Sequence, residues 1–291
     1  MIKKGQIMIK KITLILLLVL FAESLSAESK TYKMVFVPAS EKGDESDYTT
    51  LISITEKLTG FKIDTIKVTD YNAAVEAMRA GRAHIAWYGG KTYVKAAEIA
   101  NAEAFAAGVR PGEKDAGYYT YFVVKKDSNL KEFKDIKGKI LSLNTIGSTS
   151  GDLIPQVELS KINLSIKNKD HFDNVYYAGS HDACLLAVLN NQSDVCGMSS
   201  RNFEARLEDG TIKKEDVRIL HKSDRVPPPP LAYSKLIPEE DREKIKKAVL
   251  EAHMHGDIGG YGGKMSHYME VEDSDYNVLR EVIELLNKNK S

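Results

Sequence analysis

Residues 141–159 read LSLNTIGSTSGDLIPQVEL. An apolar run stops at Asn144. Gly147 and Gly151 then bracket three consecutive hydroxyl residues, Ser148, Thr149 and Ser150, and an apolar-periodic segment follows. This pattern suits a tetrahedral anion. Amides at a helix N-terminus have no intrahelical acceptor and carry partial positive charge. Hydroxyls add further donors, and glycines let the backbone come close to an oxyanion. The plainer reading is a serine N-cap, which needs one hydroxyl and not three. Two catalytic readings fail on local chemistry. No lysine follows the glycines as a nucleotide P-loop requires, and a G-x-S-x-G nucleophile turn needs serine where Thr149 stands. No activating base is identifiable either. His253 and His255 lie two apart near a helix end, with no H-E-x-x-H. No catalytic residue and no metal site is therefore predicted.

Other polar and aromatic residues sit where strands give way to helices. Tyr71 opens a helical segment, YNAAVEAMRAG, and could turn its hydroxyl toward a cleft. In GYYTYF, Tyr119 and Tyr121 share one face of a strand and Tyr118 the other. His181 begins the segment HDACLLAVL. Trp87, in AHIAWYGG, reads as a core aromatic at a strand-to-helix turn, and Pro227–Pro230 as a rigid extended stretch. Cys184 and Cys196 either form one disulfide or are two buried thiols.

The elements that must hold these residues alternate. Strand patterns at 32–38, 62–70 and 83–89 interleave with helical ones at 46–60, 71–81 and 91–102, which predicts an α/β lobe with a parallel sheet. After a long β run at 118–128, a second series follows. Strands are expected at 140–144, 174–179, 193–198 and 217–223, with helices after the first two and two more at the C-terminus. Extended segments around 120–127 and 222–235 join the two lobes, and the cleft between them is the natural ligand site. The chain of 291 residues is long enough for both. Lys plus Arg and Asp plus Glu are both 41, so the net charge is zero and nucleic acid is not an expected partner. The lysines of Met1–Lys11, the apolar run Ile12–Ala22 and the small residues after it read as a secretory signal peptide, residues 1–27, cut after Ala27.

The chain resembles the periplasmic phosphate-, phosphite- and phosphonate-binding proteins of ABC importers, the PhnD-like family. The resemblance rests on DYNAAVEAMRAGRAHIAWYGG, GYYTYFVVKKDS, FKDIKGKILSLN, GSTSG, AGSHDACLLAVLNNQSDV and PLAYSKLIPEEDREKIKKAVL, in order through nearly all of the mature sequence. It implies a two-lobed type II periplasmic binding protein. Each lobe would be a mixed, mostly parallel sheet flanked by helices, with residues 28–123 and 230–291 in lobe 1 and residues 124–229 in lobe 2. It implies a phosphorus oxyanion held by Ser148, Thr149, Ser150 and His181 from lobe 2 and by Tyr71 and Tyr118 from lobe 1. It implies no cofactor and no enzymatic activity. The expected partners are an ABC permease or, alternatively, a membrane signalling receptor. A periplasmic monomer is expected. Where relatives that bind aminoalkylphosphonates place carboxylates, this sequence has Arg201, beside Ser199 and Ser200, and the Pro227–Pro230 tract. Arg201, Ser199 and the outer carboxylate Asp182 are thus expected specificity positions, and 2-aminoethylphosphonate an unfavoured ligand.

Overall fold

The computed structural model describes residues 29–39 and 44–288. The expected signal peptide lies outside them. Thirteen strands are described: β1 Thr31–Phe36, β2 Lys62–Ile66, β3 Ile85–Trp87, β4 Ala102–Val109, β5 Thr120–Lys125, β6 Ile140–Leu143, β7 Asn174–Tyr177, β8 Val195–Ser199, β9 Val217–Lys222, β10 Leu231–Ser234, β11 Ile258–Gly260, β12 Gly263–Met265 and β13 His267–Glu270. The α-helices are α1 Thr49–Thr59, α2 Tyr71–Arg79, α3 Gly90–Ile99, α4 Ile154–Lys161, α5 His181–Leu189, α6 Ser200–Glu208, α7 Glu239–Glu251 and α8 Asn277–Lys288.

The strands form two main sheets, ordered β13-β4-β10-β3-β1-β2 and β7-β6-β8-β5-β9, with β11 and β12 as a separate hairpin. β1 pairs in parallel with β2 and β3, and β6 in parallel with β7 and β8. The strands that carry the chain between lobes run the other way. β10 is antiparallel to β3 and β4, and β5 is antiparallel to β8 and β9. The sheets are therefore mixed, with β1, β2, β3 and β4 running one way in the first and β6, β7, β8 and β9 one way in the second. A strand that enters a lobe by crossing from its neighbour need not be fed by a local right-handed crossover helix. All of β5 belongs to the second sheet, so the first crossing falls between Val109 and Thr120, ahead of the expected boundary at 123/124. The second crossing lies between Lys222 and Leu231.

Side-chain alternation along β5 shows how the second lobe is filled. Tyr121 and Val123 pack with Cys184, Leu185, Cys196 and Met198 on one face; Phe122 and Val124 pack with Leu141, Leu143 and Leu159 on the other. Cys184 and Cys196 are bonded, with Cα atoms 5.5 Å apart, which resolves the alternative left open by the sequence and ties α5 to β8. The first lobe has one large core built on Val35, Ala86, Tyr88, Phe105 and Ala232.

Several elements escape the sequence patterns. β4 reads AEAFAAGV, an alanine-rich run of low strand propensity. It is a strand because Asn101, at φ 53°, reverses the chain after α3 and feeds it between β10 and β13. α6, SRNFEARLE, is mostly polar, and the glycine-rich hairpin β11–β12 has strands of three residues each. No helix among the described residues is long and apolar enough to cross a membrane.

Candidate functional site

Four helices begin at one place between the lobes. α2 starts at Tyr71 and α3 at Gly90 in the first lobe; the GSTSG turn leading into α4, and α5 at His181, belong to the second. Each follows a strand of the parallel part of its sheet, so the site lies at the carboxyl ends of those strands. The positive ends of four helix dipoles converge there, which favours an anion. Between them is a small cavity lined by Tyr71, Trp87, Gly89, Tyr118, Ser148, Thr149, Ser150, His181, Pro229 and Tyr261. All six ligand contacts expected from the sequence are in this set. None of the ten residues carries a formal charge.

The GSTSG turn is both a cap and a wall of the cavity. Ser148 is an N-cap whose Oγ accepts from the Gly151 amide at 3.1 Å and from Asn144 Nδ2 at 3.3 Å, so its hydroxyl proton is left to point elsewhere. Residues Thr149–Leu153 form a π-type turn in which the Leu153 amide donates to Ser148 O at 3.1 Å. The wider turn spreads the first amides, which have no acceptor upstream. Gly151 is required by contact. A Cβ there would stand 2.3 Å from Asn144 Cβ and 3.0 Å from His181 Cε1.

His181 is buried, and burial pushes its pKa down to about 3. The Ser199 amide donates to its Nδ1 at 3.3 Å. Nδ1 is thus an acceptor, and the proton of the neutral ring sits on Nε2 as a hydrogen-bond donor. Burial also raises the Tyr118 pKa, partly offset by hydrogen bonds with Ser150 and Thr149, so Tyr118 keeps its phenolic proton. Hydroxyl, imidazole and amide groups here are all neutral donors.

The two lobes are clasped around the cavity. Thr149 Oγ1 accepts from the Lys91 amide at 2.9 Å, and Thr92 Oγ1 donates to Gly147 O at 3.0 Å. The Lys91 ammonium pairs with the buried carboxylate of Asp152. Asp152 also accepts from the Gly147 amide at 3.1 Å and from Gln156 and Tyr177, each at 2.7 Å. Asp152 is therefore a fully engaged anchor. The Lys91–Asp152 pair had no local signal, because 61 residues separate the partners.

The expected specificity positions lie elsewhere. The Arg201 guanidinium donates to Gly108 O at 3.2 Å, to Ala116 O at 2.8 Å and to Glu113 at 3.2 Å, so it ties α6 to the crossing segment and does not line the cavity. Those carbonyls and the carboxylate offset the burial of its two terminal nitrogens. Ser199 caps α6 by accepting from the Arg201 amide at 3.2 Å and orients His181 through its own amide. Asp182 is buried in the first turn of α5, 3.7 Å from Arg206 Nε. Two residues the sequence did not single out for the cavity, Trp87 and Tyr261, join Pro229 of the expected proline tract on the apolar side. Trp87 is a buried core ring that also lines it, beside Pro229 and Tyr261. A strand-end aromatic next to glycines was the available signal for Trp87; nothing in the sequence pointed to Tyr261.

Comparison with known proteins places this geometry. Residues 34–276 match the model of the phosphonate periplasmic substrate-binding proteins of ABC transporters. The phosphonates-binding periplasmic protein of Escherichia coli K12 is 29% identical over 230 residues, 73% of this chain. The match spans 66% of that protein's length, just under two thirds. A phosphate-import protein of Mycolicibacterium smegmatis is 26% identical over 92% of this chain and 90% of its own. Among solved structures, an ABC phosphonate transporter binding protein from Pseudomonas aeruginosa superposes with a TM-score of 0.76 at 21% identity, covering 88% of this chain and 86% of its own. A Prochlorococcus marinus protein solved with methylphosphonate gives 0.74 at 21% identity, covering 89% and 99%. These two share the two-lobed fold.

Proposed function

Because this chain belongs to the family of phosphonate-binding periplasmic substrate-binding proteins of ABC transporters, we propose that it captures a small phosphorus oxyanion between its lobes and delivers it to a membrane permease. The observation that supports this reading is the cavity itself. It is small, and residues of both lobes line it. Tyr71, Tyr118, Ser148, Thr149, Ser150 and His181 supply its donors, and Trp87, Pro229 and Tyr261 supply ring surface. Phosphite and alkylphosphonates have a matching composition, with three oxygens and one hydrogen or carbon on phosphorus. Each donor to a charged oxygen contributes roughly 1.5–3 kcal/mol, so several together hold an anion without a cationic side chain in the wall.

The ligand we favour is phosphate, phosphite or a small alkylphosphonate. 2-Aminoethylphosphonate is disfavoured for the missing counter-charge expected from the sequence, without any repulsion added to it. Arg201 does not repel its ammonium, since Arg201 is committed to Gly108, Ala116 and Glu113. The obstacle is that no carboxylate lines the cavity among the described residues. An ammonium there would find aromatic faces, worth about 0.5–2 kcal/mol, in place of its lost hydration. Closure on the ligand would be stabilised by contacts that need both lobes, as a hinge-bending binder requires. Titration calorimetry of the mature protein with phosphate, phosphite and methylphosphonate tests the reading. One-to-one binding of at least one is expected, and binding of none overturns it.

A further inference from the structure

The hairpin β11–β12 stands outside both main sheets, yet its tip enters the cavity. Tyr261 is at that tip. It is 5% exposed, its ring lies 4.7 Å from Trp87 and 6.5 Å, edge-on, from Tyr118, and its amide donates to Tyr48 Oη at 3.2 Å. Its hydroxyl donates to Oδ1 of Asn202, a buried residue of α6 in the other lobe. The flanking glycines make this insertion feasible. Gly262 has φ 84°, and a Cβ on it would stand 3.0 Å from Arg201 Cβ; a Cβ on Gly259 would stand 2.2 Å from Asp47 O. The hairpin is thus threaded between α6 of one lobe and the segment before α1 of the other.

We propose that Tyr261 is a specificity-determining residue that limits the size of the non-oxygen substituent on phosphorus, and that it does so through lobe closure. This rests on the phosphorus-oxyanion reading above. The Tyr261 ring joins Trp87 and Pro229 to form the apolar wall, and the bond to Asn202 fixes that ring only when the lobes are together. A substituent that displaces the ring breaks the Tyr261–Asn202 bond and so opposes closure. Substituents up to methyl leave the latch intact; ethyl and propyl do not.

The test is calorimetry with methyl-, ethyl- and propylphosphonate on the wild-type protein and on Tyr261→Leu, Tyr261→Phe and Asn202→Ala, with thermal unfolding of each unliganded protein as a control. The wild type should weaken roughly tenfold or more from methyl- to ethylphosphonate. Tyr261→Leu should erase most of that difference. Tyr261→Phe and Asn202→Ala keep the ring but release the latch, and should narrow the difference by a smaller factor. Wild-type discrimination retained by a folded Tyr261→Leu overturns the proposal. Should that variant not fold, discrimination unchanged in both Tyr261→Phe and Asn202→Ala overturns it. A wild-type protein that binds methylphosphonate with these outcomes leaves the oxyanion reading standing. A wild type that binds no phosphorus oxyanion overturns that reading instead.

Discussion

Ser148, Thr149 and Ser150 reach the cavity as neighbours in the chain, whereas Trp87, Pro229 and Tyr261 arrive from three separate regions. The centre of the donor side is a local device, to which packing adds Tyr71, Tyr118 and His181. One turn supplies hydroxyls, amides and a dipole together, and its glycines mark it in the sequence. The apolar side is assembled only by tertiary packing, from a strand end, a crossing segment and a hairpin tip. The donor side can bind any tetrahedral oxyanion, so on this account the apolar side selects among them. Recognition is then written locally and selectivity is written by the fold.

That division can be broken at the donor side first. Thr149→Ala removes one donor to the oxyanion and the acceptor of the Lys91 amide. It should weaken ligand binding roughly 10–100-fold by calorimetry, while the melting temperature of the unliganded protein changes little. A matching loss of stability with unchanged affinity would mean that the turn is only a cap. The next effect is on acid stability. Burial holds the folded His181 pKa at about 3, below the ordinary value near 6.5. Between those values the unfolded chain binds the extra proton, so stability present above pH ~6.5 is lost as pH falls toward about 3. At pH 5 this one residue should cost about 2 kcal/mol, and denaturant unfolding of His181→Gln should show a shallower fall over that window.

Ser148→Ala sharpens the comparison because Ser148 serves both roles. Losing its acceptance from the Gly151 amide should cost about 1 kcal/mol of unliganded stability, and affinity should fall as well. Thr149→Ala should separate these two readouts and Ser148→Ala should not. The smallest effect is expected at the rim. Lys91→Ala removes a pair in which Lys91 is 26% exposed, and Asp152 keeps its bonds from Gly147, Gln156 and Tyr177. Affinity should weaken only about two- to fivefold. The loss should appear in the dissociation rate, because the pair forms only between closed lobes.

The same contrast explains what could be read from the sequence. Periodic segments such as YNAAVEAMRAG and HDACLLAVL declared their helices, and their first residues, Tyr71 and His181, do line the cavity. Both helices are capped in the structure by the residue before, Asp70 and Ser180. β4 was not readable, since an alanine-rich strand is specified by its neighbours and not by its own propensity. Arg201 was misplaced for a related reason. The resemblance put it where relatives carry a carboxylate, but its long side chain turns to the carbonyls of Gly108 and Ala116, nearly a hundred residues away. Tyr261 shows the limit most clearly. In a glycine-rich run it looks like a loop residue, and only the packing of the hairpin against α6 brings its ring to the cavity.

The central claim is that neutral donors hold the oxyanion and an uncharged wall meets its fourth substituent. Paired titrations of methylphosphonate and 2-aminoethylphosphonate at pH 7 test it most directly, because the two share the phosphonate and differ in the amine-bearing chain. The account predicts clear binding of methylphosphonate and binding of the amine weaker by at least a factor of about 100, as for a desolvated charge without a partner. Equal or tighter binding of 2-aminoethylphosphonate would contradict it, since that requires an acceptor for the ammonium that the wall of Trp87, Pro229 and Tyr261 does not supply.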